Sequence, residues 1–214
     1  MSILQFLSKN DTTKQVRGAH SDILPFVPVG GNYMEWARKG QIFVGSTTTA
    51  AIIPKFDDTT NVPTLWNPAD SGKAIVPISL SVSYLAEGTE IIHSILLGYK
   101  TNAGSALGTA APFSVFTEVA PVSLNIGSKV AAVGKWSPAT NTATAAHTYL
   151  MTLGMGFWTE GTAATSSPYS AMEYEFKGRL LMQPGTSVIV CADAASSTTA
   201  YVSLVWAELP LEYL

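Results

Sequence analysis

The most chemically loaded spacing in the chain is MEYEF, where Glu173 and Glu175 stand two residues apart. In a strand such residues share a face, which is the placement a cation site or a general acid/base pair requires. Lys177 and Arg179 continue the same parity. Opposite charges alternating along one face make an ion-pair row, turned to solvent or to another subunit, and this is the simpler reading. His20, His93 and His147 each occupy a separate segment, with no second His or carboxylate at metal-ligand spacing. Each reads as a satisfied strand or surface histidine. Cys191, the single cysteine, lies within VIVCA and reads as a small buried hydrophobe. Gly72-Lys73 brushes the phosphate-loop pattern, but Asn67 stands where the first glycine belongs and Ala74 where a Ser or Thr must follow. Neither G-x-S-x-G nor H-E-x-x-H occurs, and there is no Gly-rich dinucleotide turn. No nucleophile, base and orienting group can be nominated together. The chain therefore reads as a non-enzyme with no catalytic, metal-binding or cofactor-binding residues.

These groups must be positioned by a framework that packing alone holds up, since one cysteine permits no internal disulfide. The 214 residues, 47% of them hydrophobic, suffice for one large domain. Charge is sparse and uneven. Residues 1–40 carry five of the twelve Lys and Arg, whereas the remaining 174 positions hold seven basic and twelve acidic side chains. No basic stripe with interleaved aromatics exists, so the body has no footprint for nucleic acid. The uncharged stretch 136–159 is broken by Pro138, Asn141 and Gly154, so it supplies no membrane span. MSILQFL is too short for a secretion signal, so synthesis is expected in the cytoplasm.

From Gln41 onward the pattern has the period of strands, in β-branched and aromatic runs punctuated by Gly, Pro, Asn and Asp. About ten strands are expected, at 41–52, 62–66, 74–86, 91–100, 113–119, 128–135, 147–158, 172–182, 186–192 and 199–209. No twelve-residue window carries a clean helical stripe. Pro77 inside one strand requires an edge, a bulge or the start of pairing. Between two strands, NPADSGK reads as a corner: Asp70 and Ser71 bond local backbone and Gly72 supplies a positive φ. The expectation is an all-β, antiparallel two-sheet jelly-roll sandwich over residues 41–214, preceded by an extended N-terminal arm, residues 1–40. The arm is either a loose terminus or a strap along a neighbour, with Ile3, Leu4, Phe6 and Leu7 as its candidate anchors.

The run TLWNPADSGKAIVPISLSVSYLAEGT resembles a segment of jelly-roll virion proteins of tailed bacteriophages, where an aliphatic-aromatic-Asn-Pro corner leads into a long core strand. FKGRLLMQPGTSVIVCADAASSTTAYVSLVWAELP resembles the end of the same proteins and, more loosely, the closing strands of trimeric jelly rolls of the tumour-necrosis-factor and C1q type. The resemblance implies a capsid decoration, cement or minor capsid protein located in the virion. Its implied partners are further copies of itself, as a homotrimer, and the major capsid protein or other virion proteins. A receptor- or glycan-binding fibre module is the alternative. TYLMTLGMGFW and AYVSLVWAEL hold more apolar side chains than one interior face needs, making Tyr201 and Trp206 candidate interface residues. A ligand-facing loop surface would instead use Trp66, Asn67 and Asp70, or Trp158 and Glu160.

Overall fold

In AYVSLVWAEL one parity runs Ala200, Val202, Leu204, Trp206 and Glu208 and the other Tyr201, Ser203, Val205, Ala207 and Leu209, and a strand sends the two sets to opposite faces. A computed structural model describes residues 29–56, 58, 60–84, 93–101, 113–138, 141–143, 147–156, 171–193 and 199–213. The first sheet contains β1 (Ile42–Ser46), β2 (Ala51–Ile52), β4 (Lys73–Tyr84), β7 (Val122–Ser123), β11 (Ala171–Glu175) and β13 (Thr199–Pro210). The second contains β3 (Thr64–Asn67), β5 (His93–Thr101), β8 (Lys135–Ser137), β10 (Thr148–Gly156) and β12 (Thr186–Ala192). A separate ribbon pairs β6 (Phe113–Phe116) with β9 (Asn141–Ala143), and every strand pairing is antiparallel.

The connectivity identifies the sandwich. Spatial order is β11-β4-β13-β1 in one sheet and β10-β5-β12-β3 in the other. Through β1, β3, β4, β5, β10, β11, β12 and β13 the chain alternates between sheets, except that β5 and β10 are neighbours in one sheet. That is the eight-stranded jelly roll. Val202, Leu204 and Trp206 of β13 and Leu80 and Val82 of β4 face Leu65, Ile95, Leu97, Val188 and Val190 of the second sheet in one core cluster. Burial of each such aliphatic side chain contributes roughly 1.5–3 kcal/mol. Trp136 closes the core, and its indole leaves no room for a Cβ at Gly45.

Pro77 sits at a bulge. Trp206 lies opposite Pro77 but Val205 opposite Ser79, so one extra residue of β4 is accommodated there. The bulge exchanges the inward parity of β4 from Ile75 and Pro77 to Leu80 and Val82. The corner forms as expected, with Gly72 at φ 63° and the Ser71 hydroxyl donating to the Lys73 carbonyl at 3.2 Å.

Three expectations are corrected. The stretch 29–38, read as part of an extended arm, is the helix α1 (Val29–Arg38). Its end is a Schellman motif, in which Gly40 N–H donates to Ala37 O and Gln41 N–H to Trp36 O. The stretch 128–135 is loop until β8 begins at Lys135, while β7 and β9 form where no strand was read. The strand expected over 172–182 ends at Glu175, because Lys177 and Gly178 take positive φ values of 51° and 74° and turn the chain. Residues 1–28 lie outside the described residues, and with them the candidate anchors Ile3, Leu4, Phe6 and Leu7.

Candidate interaction surfaces

The inward row of β13 ends on a charge. Glu208 follows Val202, Leu204 and Trp206 on the core face and has no exposed surface. A carboxylate out of water costs several kcal/mol unless its lone pairs are satisfied. Here they are. Gly134 N–H donates to Oε1 at 2.8 Å, Val133 N–H at 2.9 Å and the Trp206 indole N–H at 3.2 Å, while Lys73 Nζ lies 3.3 Å from Oε2. These bonds fix residues 133 and 134 to the end of the sandwich.

At its other end the same loop is tied to β1 of the first sheet and to the end of helix α1. Leu124 N–H donates to Ile42 O at 2.9 Å, and the Asn125 amide to Arg38 O at 3.1 Å. Held at both ends, the loop turns its apolar side chains outward: Val122, Leu124 and Val130 are exposed and Ile126 is 93% exposed. Buried Glu208 and exposed Ile126 were both missed in the sequence. The alternation of β13 places position 208 inside, which was the available signal.

The outer face of the second sheet carries a different polar group. Cα pairing puts Lys135, Trp66, Ser187 and Lys100 in one cross-strand row, and His147 precedes the β10 residue paired with Tyr99, extending the row by one strand. Phe113 of the covering ribbon touches the Trp66 ring and the His147 ring, each at 6.2 Å between centroids. Beneath it the Trp66 Nε1, Ser187 Oγ and both His147 nitrogens are buried without a hydrogen-bond partner. This corrects the reading of His147 as satisfied. Burial, and then the charge of Lys100, push its pKa down to about 4. Burial also lowers the pKa of Lys100.

The other sequence candidates separate. Trp206 is fully buried, so it belongs to the core and not to a subunit interface, whereas Tyr201, on the opposite parity, is exposed. Asn67 is buried as well, donating to Lys73 O at 2.9 Å and Met182 O at 3.0 Å to hold the corner. Trp66 points outward beneath Phe113 and Phe116, and only Asp70 of that trio is exposed, so the three do not form one ligand-facing loop. Trp158 and Glu160 lie outside the described residues.

Glu173 and Glu175 do share an exposed face, beside a shallow groove of about 450 Å³ also lined by Tyr33, Ile78, Ser79 and Lys177. Glu175 and Lys177 pair at 3.8 Å, a solvated contact of little energetic value. Arg179 lies past the Lys177-Gly178 turn and does not extend the β11 strand row. Cys191 is buried, its thiol pushed up to about 12 by burial, which leaves it inert. Among the described residues no group of three or more His, Cys, Asp and Glu could hold a metal ion, and no helix is long and apolar enough to cross a membrane. Comparison with known proteins finds no matching family model, no matching relative and no matching solved structure.

Proposed function

We propose that this chain is a structural protein of a virus particle, a capsid decoration, cement or minor capsid protein that acts through contacts with its own copies and with the shell. The observation that carries this reading is the Val122–Val130 loop. It displays exposed Val122, Leu124, Ile126 and Val130 on a backbone fastened at both ends. Burial of one such side chain against a partner contributes roughly 1.5–3 kcal/mol, with little ordering cost because the loop is already fixed. The jelly-roll connectivity supports the same reading, as do the two segments that resemble phage virion proteins.

In this proposal the protein is a homotrimer, Tyr201 lies at a subunit contact, and residues 1–28 reach a neighbouring copy or the capsid surface. The glycan-binding alternative gains no support from the placement of Trp66, Asn67 and Asp70, which do not converge on one exposed surface. Light scattering at micromolar concentration should give three times the chain mass of 22.6 kDa. A chain lacking residues 1–28 should remain trimeric but lose binding to particles of the parent virus. A monomer refutes the trimer, and unchanged particle binding refutes the role of the arm.

A further inference from the structure

Residues 125–128 form a closed β-turn. Ser128 N–H donates to Asn125 O at 2.8 Å and Gly127 takes a φ of 93°, which leaves Ile126 at the first central position with its side chain exposed. The Asn125 amide on Arg38 O braces this turn against helix α1, so Ile126 is a fixed knob beside β7, an edge strand of the first sheet. At the opposite edge, where β11 is the last strand, lies the groove lined by Tyr33, Ile78 and Ser79 and rimmed by Glu173 and Glu175. Register connects the two places. Glu175, Ser79, Val205, Val44 and Val122 occupy one cross-strand row, running from β11 through β4, β13 and β1 to β7. Four strand spacings, about 19 Å, separate its ends.

A subunit with a projection at one sheet edge and a recess at the other is suited to head-to-tail contact, in which each projection enters the next copy's recess. The charges agree with that arrangement. Lys129, beside the knob, is exposed and is the only charged residue of 122–130, while Arg38 and Lys39 at the end of α1 share the single Glu35. The groove rim has the opposite balance, with exposed Glu173 and Glu175 against Lys177. Each surface therefore repels its own counterpart on a second copy and attracts the other one.

We propose that, in the homotrimer on which this inference rests, the Ile126 turn of each copy seats in the Tyr33–Ile78–Ser79 groove of the next, with Lys129 facing Glu173. The apolar tip then leaves water against Tyr33 and Ile78 without reordering a backbone that the Asn125 and Glu208 bonds already hold. Tyr201 shares the groove's outer face, in the row Ala171–Ser83–Tyr201 next to that of Glu173, so it belongs to the same contact surface.

The test uses the full chain. Ser79→Cys combined with Ile126→Cys should, on oxidation, give covalent dimers and trimers on a denaturing gel. Either change alone should give none, because the knob faces a groove and not a second knob, and Cys191 is buried. Glu173→Lys and Lys129→Glu, both at exposed positions, should each weaken association about tenfold, as a like-charged pair at a contact does. Together they should restore it, since every contact then carries the exchanged pair. A monomeric parent removes the trimer, and this contact with it. A trimeric parent whose double-cysteine variant stays uncrosslinked, or whose combined charge exchange associates no better than either single change, overturns the seating alone and leaves the trimer standing. Crosslinking of Ile126→Cys to itself would likewise overturn it, in favour of a twofold contact.

Discussion

Glu208 and the Trp66–Ser187–His147 row are both buried polar groups, and they are treated in opposite ways. Glu208 is charged and completely furnished, with two backbone N–H donors, an indole and an ammonium. The row is uncharged at three of its members and left without partners at four atoms. A charge in the core is tolerated only when every lone pair is met, so Glu208 must be structural. Unmet neutral atoms cost less than an unmet charge, so the row is tolerated at a smaller loss of stability. The sharpest way to break this contrast is to remove the furnished group. Glu208→Ala should lower unfolding stability by about 3–5 kcal/mol, since it strands Lys73 and the Val133 and Gly134 N–H groups together. Glu208→Gln keeps an acceptor and should cost about 1–3 kcal/mol. Urea midpoints at unchanged slope measure both, and equal losses for Ala and Gln would show that the charge has no part in the staple.

The row should make itself felt through pH. The folded pKa of His147 is about 4 against an ordinary 6.5, so the unfolded chain binds the proton first as pH falls. Stability from this group is full above pH 6.5, is lost progressively below it, and levels off under pH 4, to a total of up to about 3 kcal/mol. His147→Gln removes the titration and should flatten the stability profile over that window. A parent protein whose stability holds constant from pH 7 to 4.5 would show that the ring is hydrated and not buried.

The two regions also differ in how far they could be read from sequence. Strands announce themselves through period two, and β4, β5, β12 and β13 lie close to where alternation puts them because both their faces are specified by neighbours. The corner was legible for the same local reason, as Gly72 is demanded by turn geometry. Helix α1 was missed, although Glu35 stands three and four residues before Arg38 and Lys39, with Gly40 at the stop. Its five apolar positions, Val29, Tyr33, Met34, Trp36 and Ala37, are split by Gly30, Gly31 and Asn32, residues that disfavour a helix interior, so the stripe did not stand out. Burial of Glu208 follows from the parity of β13, but its partners come from residues 73, 133 and 134, and no local pattern connects those positions. The row is less legible still. Trp66, Ser187 and His147 meet only through register across four strands, and the roof comes from a ribbon of seven residues. Trp206 shows the converse error: an apolar-rich strand suggested a surface to be covered, while the bulge at Pro77 and the parity of β13 put that indole in the core.

The smallest effect on stability should come from the Glu208-fastened loop, where the consequence for assembly should be largest. Ile126 is 93% exposed beside Gly127, so replacing it with Ser removes almost nothing that the isolated chain buries. Unfolding stability of Ile126→Ser should stay within about 0.5 kcal/mol of the parent. If the loop is a contact with another subunit or the shell, the same change discards roughly 1.5–3 kcal/mol at each contact, a ten- to hundredfold loss of affinity that a repeated lattice multiplies. Glu208→Gln should weaken assembly through the same loop by loosening its backbone, but at a visible cost in stability. The pair therefore separates the anchor from the contact. Sedimentation velocity and co-sedimentation with particles read the outcome, and an Ile126→Ser protein that is as stable, as oligomeric and as well bound as the parent would remove this loop from the assembly surface.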